Sequence, residues 1–212
     1  MTTEPLRPTP NEQQRQVLRR LMRQRRARLT SSQQHSAALA LQHRLSAHPA
    51  LQQAQHIALY CSFDGEIDPQ PLCQQLWWQH KQLYLPKLDP QRTGALLFFP
   101  YSSETPLQRN RFGILEPLLP LEAACPLSQL TVILLPVVAF DSDCHRLGMG
   151  GGYYDRTLNA HLQTDPRQQP LIMIGLAHDC QQITSLPRAC WDRRLNAVMT
   201  PNHLFFTEDF AR

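Results

Sequence analysis

The chain has 212 residues, 42% of them hydrophobic and 18% charged, with a formal net charge of +4. That length supports one buried core and predicts a single domain over residues 1–212, while no apolar run reaches the roughly 20 residues that a bilayer helix needs. The N-terminal stretch lacks the apolar centre of a secretion signal and the six scattered cysteines form no C-x-x-C pair, so a cytoplasmic protein with reduced thiols, no structural zinc and no membrane partner is expected.

In chain order, Thr9-Pro10-Asn11-Glu12 combines a capping box with proline at the first helical position. The helix that follows places Val17, Leu18, Leu21 and Met22 on an apolar stripe. Arg15, Arg19, Arg23 and Arg26, at steps of four, four and three, share one polar face. Seven arginines fall between Arg15 and Arg28 with no acid among them, which makes one basic element on a mildly acidic remainder. Thr30 and Gln33 form a second capping box, opening a helix predicted to end near His48-Pro49.

"HIALYCS" (56–62) reads as a short strand, followed by an Asp64-Gly65 turn, Glu66, and a helix start at Asp68-Pro69. That helix carries Leu72, Leu76 and Trp77 inward and is predicted to end near Lys81. "QLYLP" (82–86) and "ALLFFP" (95–100) are further strands, and "RFGILEP" (111–117) is expected to be a loop. "LTVILLPVVAF" (130–140) is the most continuously apolar segment and suits a central parallel strand covered on both faces. Residues 153–162 are predicted helical and "LIMIGLA" (171–177) a buried strand. Strands alternating with helices predict an α/β fold, a three-layer α/β/α arrangement with a mainly parallel open sheet.

Four of the eight glycines, Gly148, Gly150, Gly151 and Gly152, occupy five positions in "RLGMGGGYYDR" (146–156). Glycine is costly to order, so such a cluster needs a cause. Its place after a central strand and before a helix supplies one. Glycines there let amide groups face a ligand, and the helix start adds unpaired N–H groups, an arrangement suited to phosphate. Arg146 and Arg156 flank it with positive charge, and Asp155 is a hard-oxygen donor for Mg²⁺ between phosphates. The spacing matches neither the P-loop nor G-x-G-x-x-G.

The stretch "LPVVAFDSDCHRLGMGGGYYDRTL" resembles the signature of the 5-formyltetrahydrofolate cyclo-ligase family. The likeness extends through the basic N-terminal helix, "YCSFDGEIDP", "RFGILEP" and "WDRRLNAVMTP". It implies an enzyme that uses ATP, with Mg²⁺ as cofactor, to convert 5-formyltetrahydrofolate to 5,10-methenyltetrahydrofolate, releasing ADP and phosphate. Chemistry of this kind asks for positioning and electrostatic support of a migrating phosphoryl group; Arg146, Asp155 and Arg156 are the candidate catalytic residues.

Carried over, the resemblance assigns ATP contacts to Arg15, Gln16, Val17, Leu18 and Arg19 and to the segment Arg146, Leu147, Gly148, Met149, Gly150, Gly151, Gly152, Tyr153 and Tyr154. It assigns folate contacts to Cys61, Glu66 and Phe112, together with Met149 to Tyr153, and metal contacts to Asp155 and Asp192. Two departures from the pattern stand out. Gly151 replaces a lysine found in some members, which leaves Arg156 or the N-terminal arginines to supply that cation. Phe112 stands where some relatives have tryptophan.

Taken singly, several of these residues fit plainer roles. Arg15 and Arg19 suit a solvated helix face, Cys61 a core thiol, Glu66 a surface charge, and Asp192 a local partner for Arg193 or Arg194. None of the nine histidines has metal-ligand spacing; His178-Asp179 and the Trp77-Trp78 pair read as structural. Two rival functions remain. A nucleic-acid-binding protein acting through the arginine helix predicts steeply salt-dependent affinity, and the acidic remainder speaks against it; no nucleic-acid partner is expected. The other is a nucleotide- or sugar-phosphate-binding domain with different chemistry.

Overall fold

The structure, a computed structural model, describes residues 9–162, 171–189 and 192–210. The elements run α1 (Pro10–Ala27), α2 (Ser31–Ser46), α3 (Pro49–Gln53), β1 (His56–Ala58), α4 (Gln70–Trp78), β2 (Gln82–Leu88), β3 (Leu96–Tyr101), β4 (Leu107–Arg109), β5 (Leu115–Pro117), β6 (Val132–Pro136), β7 (Ala139–Phe140), β8 (Arg146–Leu147), α5 (Tyr153–Leu162), β9 (Ile172–Leu176), β10 (Ala197–Met199) and β11 (Leu204–Phe206). Both capping boxes form: the Thr9 hydroxyl accepts the Glu12 N–H, and the Thr30 hydroxyl accepts the Gln33 N–H.

Seven strands make one sheet in the order β11-β10-β9-β6-β1-β2-β3. The five central strands pair in parallel, and β3 and β11 close the edges antiparallel. Alternate residues of β6 serve opposite faces: Val132 and Leu134 pack with Leu41, Leu45, Leu72 and Leu76 of α2 and α4, whereas Ile133 and Leu135 pack with Leu158 of α5. Two apolar faces demand two helical covers, which gives the expected three-layer α/β/α arrangement and explains why β6 reads as unbroken hydrophobic sequence.

Several boundaries differ from the sequence reading. The first strand stops at Ala58, because the chain then leaves the sheet to line a cavity. The second helix ends at Ser46, and Pro49 opens the separate short helix α3, its cap supplied by His48. The α4 helix ends at Trp78, with His80 in the left-handed region at φ 58°. Trp77 is partly buried and its indole donates to the Tyr101 carbonyl at 2.9 Å, while Trp78 is exposed. The expected loop 111–117 is in part a strand, since Leu115–Pro117 pairs with Leu107–Arg109 in a small hairpin.

The α1 helix departs furthest from expectation. Of its apolar stripe only Met22 is buried and Leu18 partly so, while Val17 is 62% exposed and Leu21 is also exposed. The arginine face is the one that docks, because the carboxylates of Asp64 and Asp192 lie beneath it. Arg23 Nε reaches Asp64 Oδ2 at 2.6 Å, Arg26 Nη2 reaches the same oxygen at 2.9 Å, and Arg15 clasps Asp192. Among the described residues no helix is long and apolar enough to cross a membrane, and all five described cysteines are free thiols. Cys190 lies outside the described residues.

Candidate functional site

The crossover from β1 to β2 runs one way across the sheet and that from β6 to β9 runs the other, so a crevice opens beyond the carboxyl ends of β1 and β6, where ligands bind in open parallel sheets. A cavity of about 590 Å³ lies there. Tyr60 and Cys61, just past β1, and Pro136, at the end of β6, form its floor. One wall comes from β2 (Pro86, Leu88) and the β4–β5 hairpin (Asn110, Ile114, Leu115, Glu116). The opposite wall comes from α1 (Arg15, Gln16, Arg19) and the glycine stretch.

Most of the sequence-derived candidates converge on this cavity. Arg15, Gln16, Arg19, Cys61, Glu66, Arg146, Gly148, Met149, Gly150, Gly151, Gly152, Tyr153, Tyr154, Asp155 and Asp192 all line it. Five candidates do not. Val17 faces solvent, and Leu18 and Leu147 pack in a small apolar cluster beneath α1. Phe112, 47% exposed at the hairpin tip, meets the Tyr153 ring in a T-shaped contact at 5.9 Å between centroids. Arg156 stands behind the glycine stretch, donating to the carbonyls of Gly94 (2.9 Å) and Gly151. It braces the turn instead of facing the cavity.

The glycines have separable causes. Gly150 (φ 103°) and Gly152 (φ 66°) adopt backbone conformations that L side chains rarely reach. A Cβ on Gly150 would also stand 3.3 Å from the Arg19 guanidinium, and one on Gly152 would stand 2.8 Å from Arg156 Nη1. Gly148 is different: a Cβ there would meet nothing within 4 Å. Nothing in the protein itself demands its small size, yet it lines the cavity.

The polar groups on this side hold one another. Arg19 Nε donates to the Gly148 carbonyl at 2.8 Å. Arg146 Nη2 binds Asp155 Oδ1 at 2.5 Å while its Nη1 donates to the Arg193 carbonyl at 3.0 Å. Arg15 grips both oxygens of Asp192, and one of those oxygens also accepts the Ala189 N–H at 2.8 Å. Asp192 is thus paired with Arg15, not with its neighbours Arg193 or Arg194. Burial opposes its ionisation, but Arg15, the Ala189 amide and Arg146 together hold its carboxyl below the usual range. Burial and the nearby Arg15 charge both lower the pKa of Arg19.

The other end of the cavity is built around Glu66. This carboxylate is 7% exposed, accepts the Phe63 N–H at 3.1 Å, and has no ion-pair partner among the described residues. Burial pushes its pKa up to about 7, with the Arg26 charge pulling the other way. Burial likewise pushes the Cys61 thiol up to about 11, so it stays protonated near neutrality. It also raises the phenols of Tyr60 and Tyr154, which feel the Glu66 charge as well. Tyr60 donates its hydroxyl to the Ile67 carbonyl at 2.8 Å, tying the floor to the Asp64–Glu66 turn.

Sequence reasoning missed the hairpin wall. Glu116 is buried and accepts from the Leu88 N–H (3.3 Å) and the Asn110 amide (3.2 Å), which fastens the hairpin to β2. Arg111 donates to the Tyr153 hydroxyl at 2.8 Å and so joins the hairpin tip to the glycine side. The "RFGILEP" motif was the available signal, but read as a loop it directed attention to Phe112 alone.

Among the described residues no three His, Cys, Asp or Glu side chains gather as a metal cage. The donor set fits a different arrangement. Mg²⁺ takes one or two carboxylates and completes its shell with phosphate oxygens and water. Asp155 keeps one oxygen clear of Arg146, while Asp192 would join only by exchanging Arg15 for the ion.

The sequence profile of the 5-formyltetrahydrofolate cyclo-ligase family matches residues 11–201. The 5-formyltetrahydrofolate cyclo-ligase of Haemophilus influenzae is 46% identical over 183 residues, spanning 86% of this chain and 95% of that protein. The Escherichia coli K12 protein of the same name is 44% identical over 187 residues, spanning 87% and 99%. The solution structure of Aquifex aeolicus 5,10-methenyltetrahydrofolate synthetase superposes with a TM-score of 0.77 at 27% identity, covering 92% of this chain and 93% of that one. With the profile, the close relatives and the sheet topology all in agreement, the chain belongs to the 5-formyltetrahydrofolate cyclo-ligase family.

Proposed function

We propose that this cavity holds 5-formyltetrahydrofolate and ATP together and closes the folate's five-membered ring, giving 5,10-methenyltetrahydrofolate, ADP and phosphate. The observation that carries this reading is the division of one cavity into two chemically unlike halves. One half offers glycine backbone, a helix start and the guanidinium groups of Arg15, Arg19 and Arg146, which suit a polyphosphate. The other offers a buried carboxylate beside neutral phenols and a thiol, which suits a flat heterocycle with N–H donors. The family names of the close relatives supply the substrate.

The formyl group on N5 is amide-like and resists attack by N10. Transfer of the γ-phosphoryl group to the formyl oxygen makes that oxygen a leaving group; N10 then bonds to the formyl carbon and loses its proton, and the C–O bond breaks to release phosphate. The chain's own contribution is placement and charge. Arg15 and Arg19 draw in the phosphates, and the absent Cβ of Gly148 allows the backbone close to them. Arg146 holds Asp155 in position, and Glu66 accepts N–H groups of the pterin. The hairpin, joined to Tyr153 by Arg111, walls the cavity on the side facing α1 and the glycine stretch. Mg²⁺, when bound by Asp155 and phosphate oxygens, would neutralise charge on the phosphates. The cation missing at Gly151 is replaced by Arg19, whose guanidinium lies against Gly150.

The deciding experiment is appearance of the methenyl chromophore when purified protein, 5-formyltetrahydrofolate, Mg²⁺ and ATP are mixed. No chromophore, or the same rate without ATP, would refute the reading.

A further inference from the structure

Arg26 is the most anomalous residue outside the cavity lining. It sits in the last turn of α1 and is 0% exposed. Its Nη2 binds Asp64, but its Nε and Nη1 are buried with no hydrogen-bond partner. Its aliphatic stem packs beneath the turn that carries Glu66: a Cβ on Gly65 would lie 3.5 Å from Arg26 Cγ. His178, 3% exposed and placed just after β9, faces the same charge and keeps its own Nε2 unpartnered. Burying a guanidinium with two unsatisfied nitrogens is expensive, and an apolar side chain of similar volume would remove that cost. Packing therefore does not account for it. What Arg26 supplies that an apolar residue cannot is a fixed positive charge under the Asp64–Glu66 turn, next to a carboxylate that has no ion pair.

We infer that Arg26 is a positioning residue for Glu66, setting the turn and countering the burial of its carboxylate so that Glu66 can accept the N–H donors of the folate ring. This rests on the proposed role of Glu66 as folate acceptor. The charged groups facing Glu66 are Arg26 from α1 and Asp64 from its own turn; the titratable phenols are Tyr60 after β1 and Tyr154 from α5. His178 is pushed down to about 4 by burial and by Arg26, so it is neutral where Glu66 titrates. A protonated carboxyl group cannot accept two adjacent N–H groups, so folate affinity is full above the Glu66 pKa and falls as pH drops through about 7.

The test is 5-formyltetrahydrofolate binding without ATP, titrated across neutral pH. Glu66→Gln comes first: it should weaken binding and flatten its pH dependence, and unchanged affinity would refute the folate-acceptor role itself. Given that loss, Arg26→Met should weaken folate binding about fivefold at pH 7 and move the pH midpoint up by about one unit. ATP affinity should hold, Arg26→Lys should restore part of the loss, and Arg26→Met should add little in the Glu66→Gln background. An unmoved midpoint, or an equal loss in that background, would overturn the inference. Asp64→Asn covers the case in which Arg26→Met does not fold. It removes the negative charge that opposes ionisation of Glu66, so the midpoint should move down; an upward or absent shift would overturn the inference.

Discussion

The two ends of the cavity manage charge in opposite ways. At the glycine end, Asp155 is paired with Arg146 and Asp192 with Arg15, and the guanidinium of Arg19 rests on the Gly148 carbonyl. At the Glu66 end a buried carboxylate has no ion-pair partner among the described residues, and the Arg26 charge and the Phe63 N–H oppose its neutralisation. Paired charges are tolerated in a protein interior and can exchange partners when an anion arrives, which is what the proposed polyphosphate site asks of that end. A buried carboxylate with no ion pair keeps acceptor capacity free, which is what the proposed folate site asks of that end.

The sharpest way to break this comparison is to fill the space at the glycine end without disturbing the fold. Gly148→Val should cost at least about a hundredfold in ATP-dependent turnover while thermal unfolding stays near that of the parent, because its Cβ enters open space. Gly150→Val should lose both turnover and stability, by about 1–2 kcal/mol, since its φ of 103° disfavours any side chain. Equal stability losses at the two positions would show that Gly148 is also a structural turn.

Next in size are the cations. Arg15→Ala and Arg19→Ala should each lower ATP-dependent turnover about ten- to a hundredfold, as expected for roughly 1.5–3 kcal/mol of charged hydrogen bonding. Arg20→Ala, about 100° around the helix from Arg19 and exposed, should change turnover by less than about twofold. Assaying RNA and DNA retention of the same variants at two salt concentrations checks the rival: small, equal effects on turnover with lost retention would assign the helix to nucleic acid.

The smallest contrast separates metal from folate. Asp155→Asn should raise the Mg²⁺ concentration needed for half-maximal turnover by several-fold, with folate affinity nearly unchanged. A collapse in folate binding at constant Mg²⁺ dependence would move Asp155 to the other half of the site.

What the sequence by itself determined is what local physics controls. Thr9 and Thr30 cap their helices because a hydroxyl three residues ahead of an unpaired N–H suffices. Of the unbroken run 130–140, Val132–Pro136 is central because only a strand covered on both faces tolerates it, while Ala139–Phe140 leaves the main sheet and pairs with Arg146–Leu147. The glycine cluster marked one wall of the cavity because positive φ and close backbone approach are written in residue type. Tertiary structure alone decided which face of α1 turns inward. Periodicity assigns the apolar stripe to the core and the arginines to water, yet Asp64 and Asp192, 38 and 177 residues beyond their partners Arg26 and Arg15, reverse that preference. The same holds for Glu66 and Arg26. Each is an ordinary charge in the sequence, and only the crossing of α1 over the β1 turn buries both and brings the Arg26 charge to bear on Glu66.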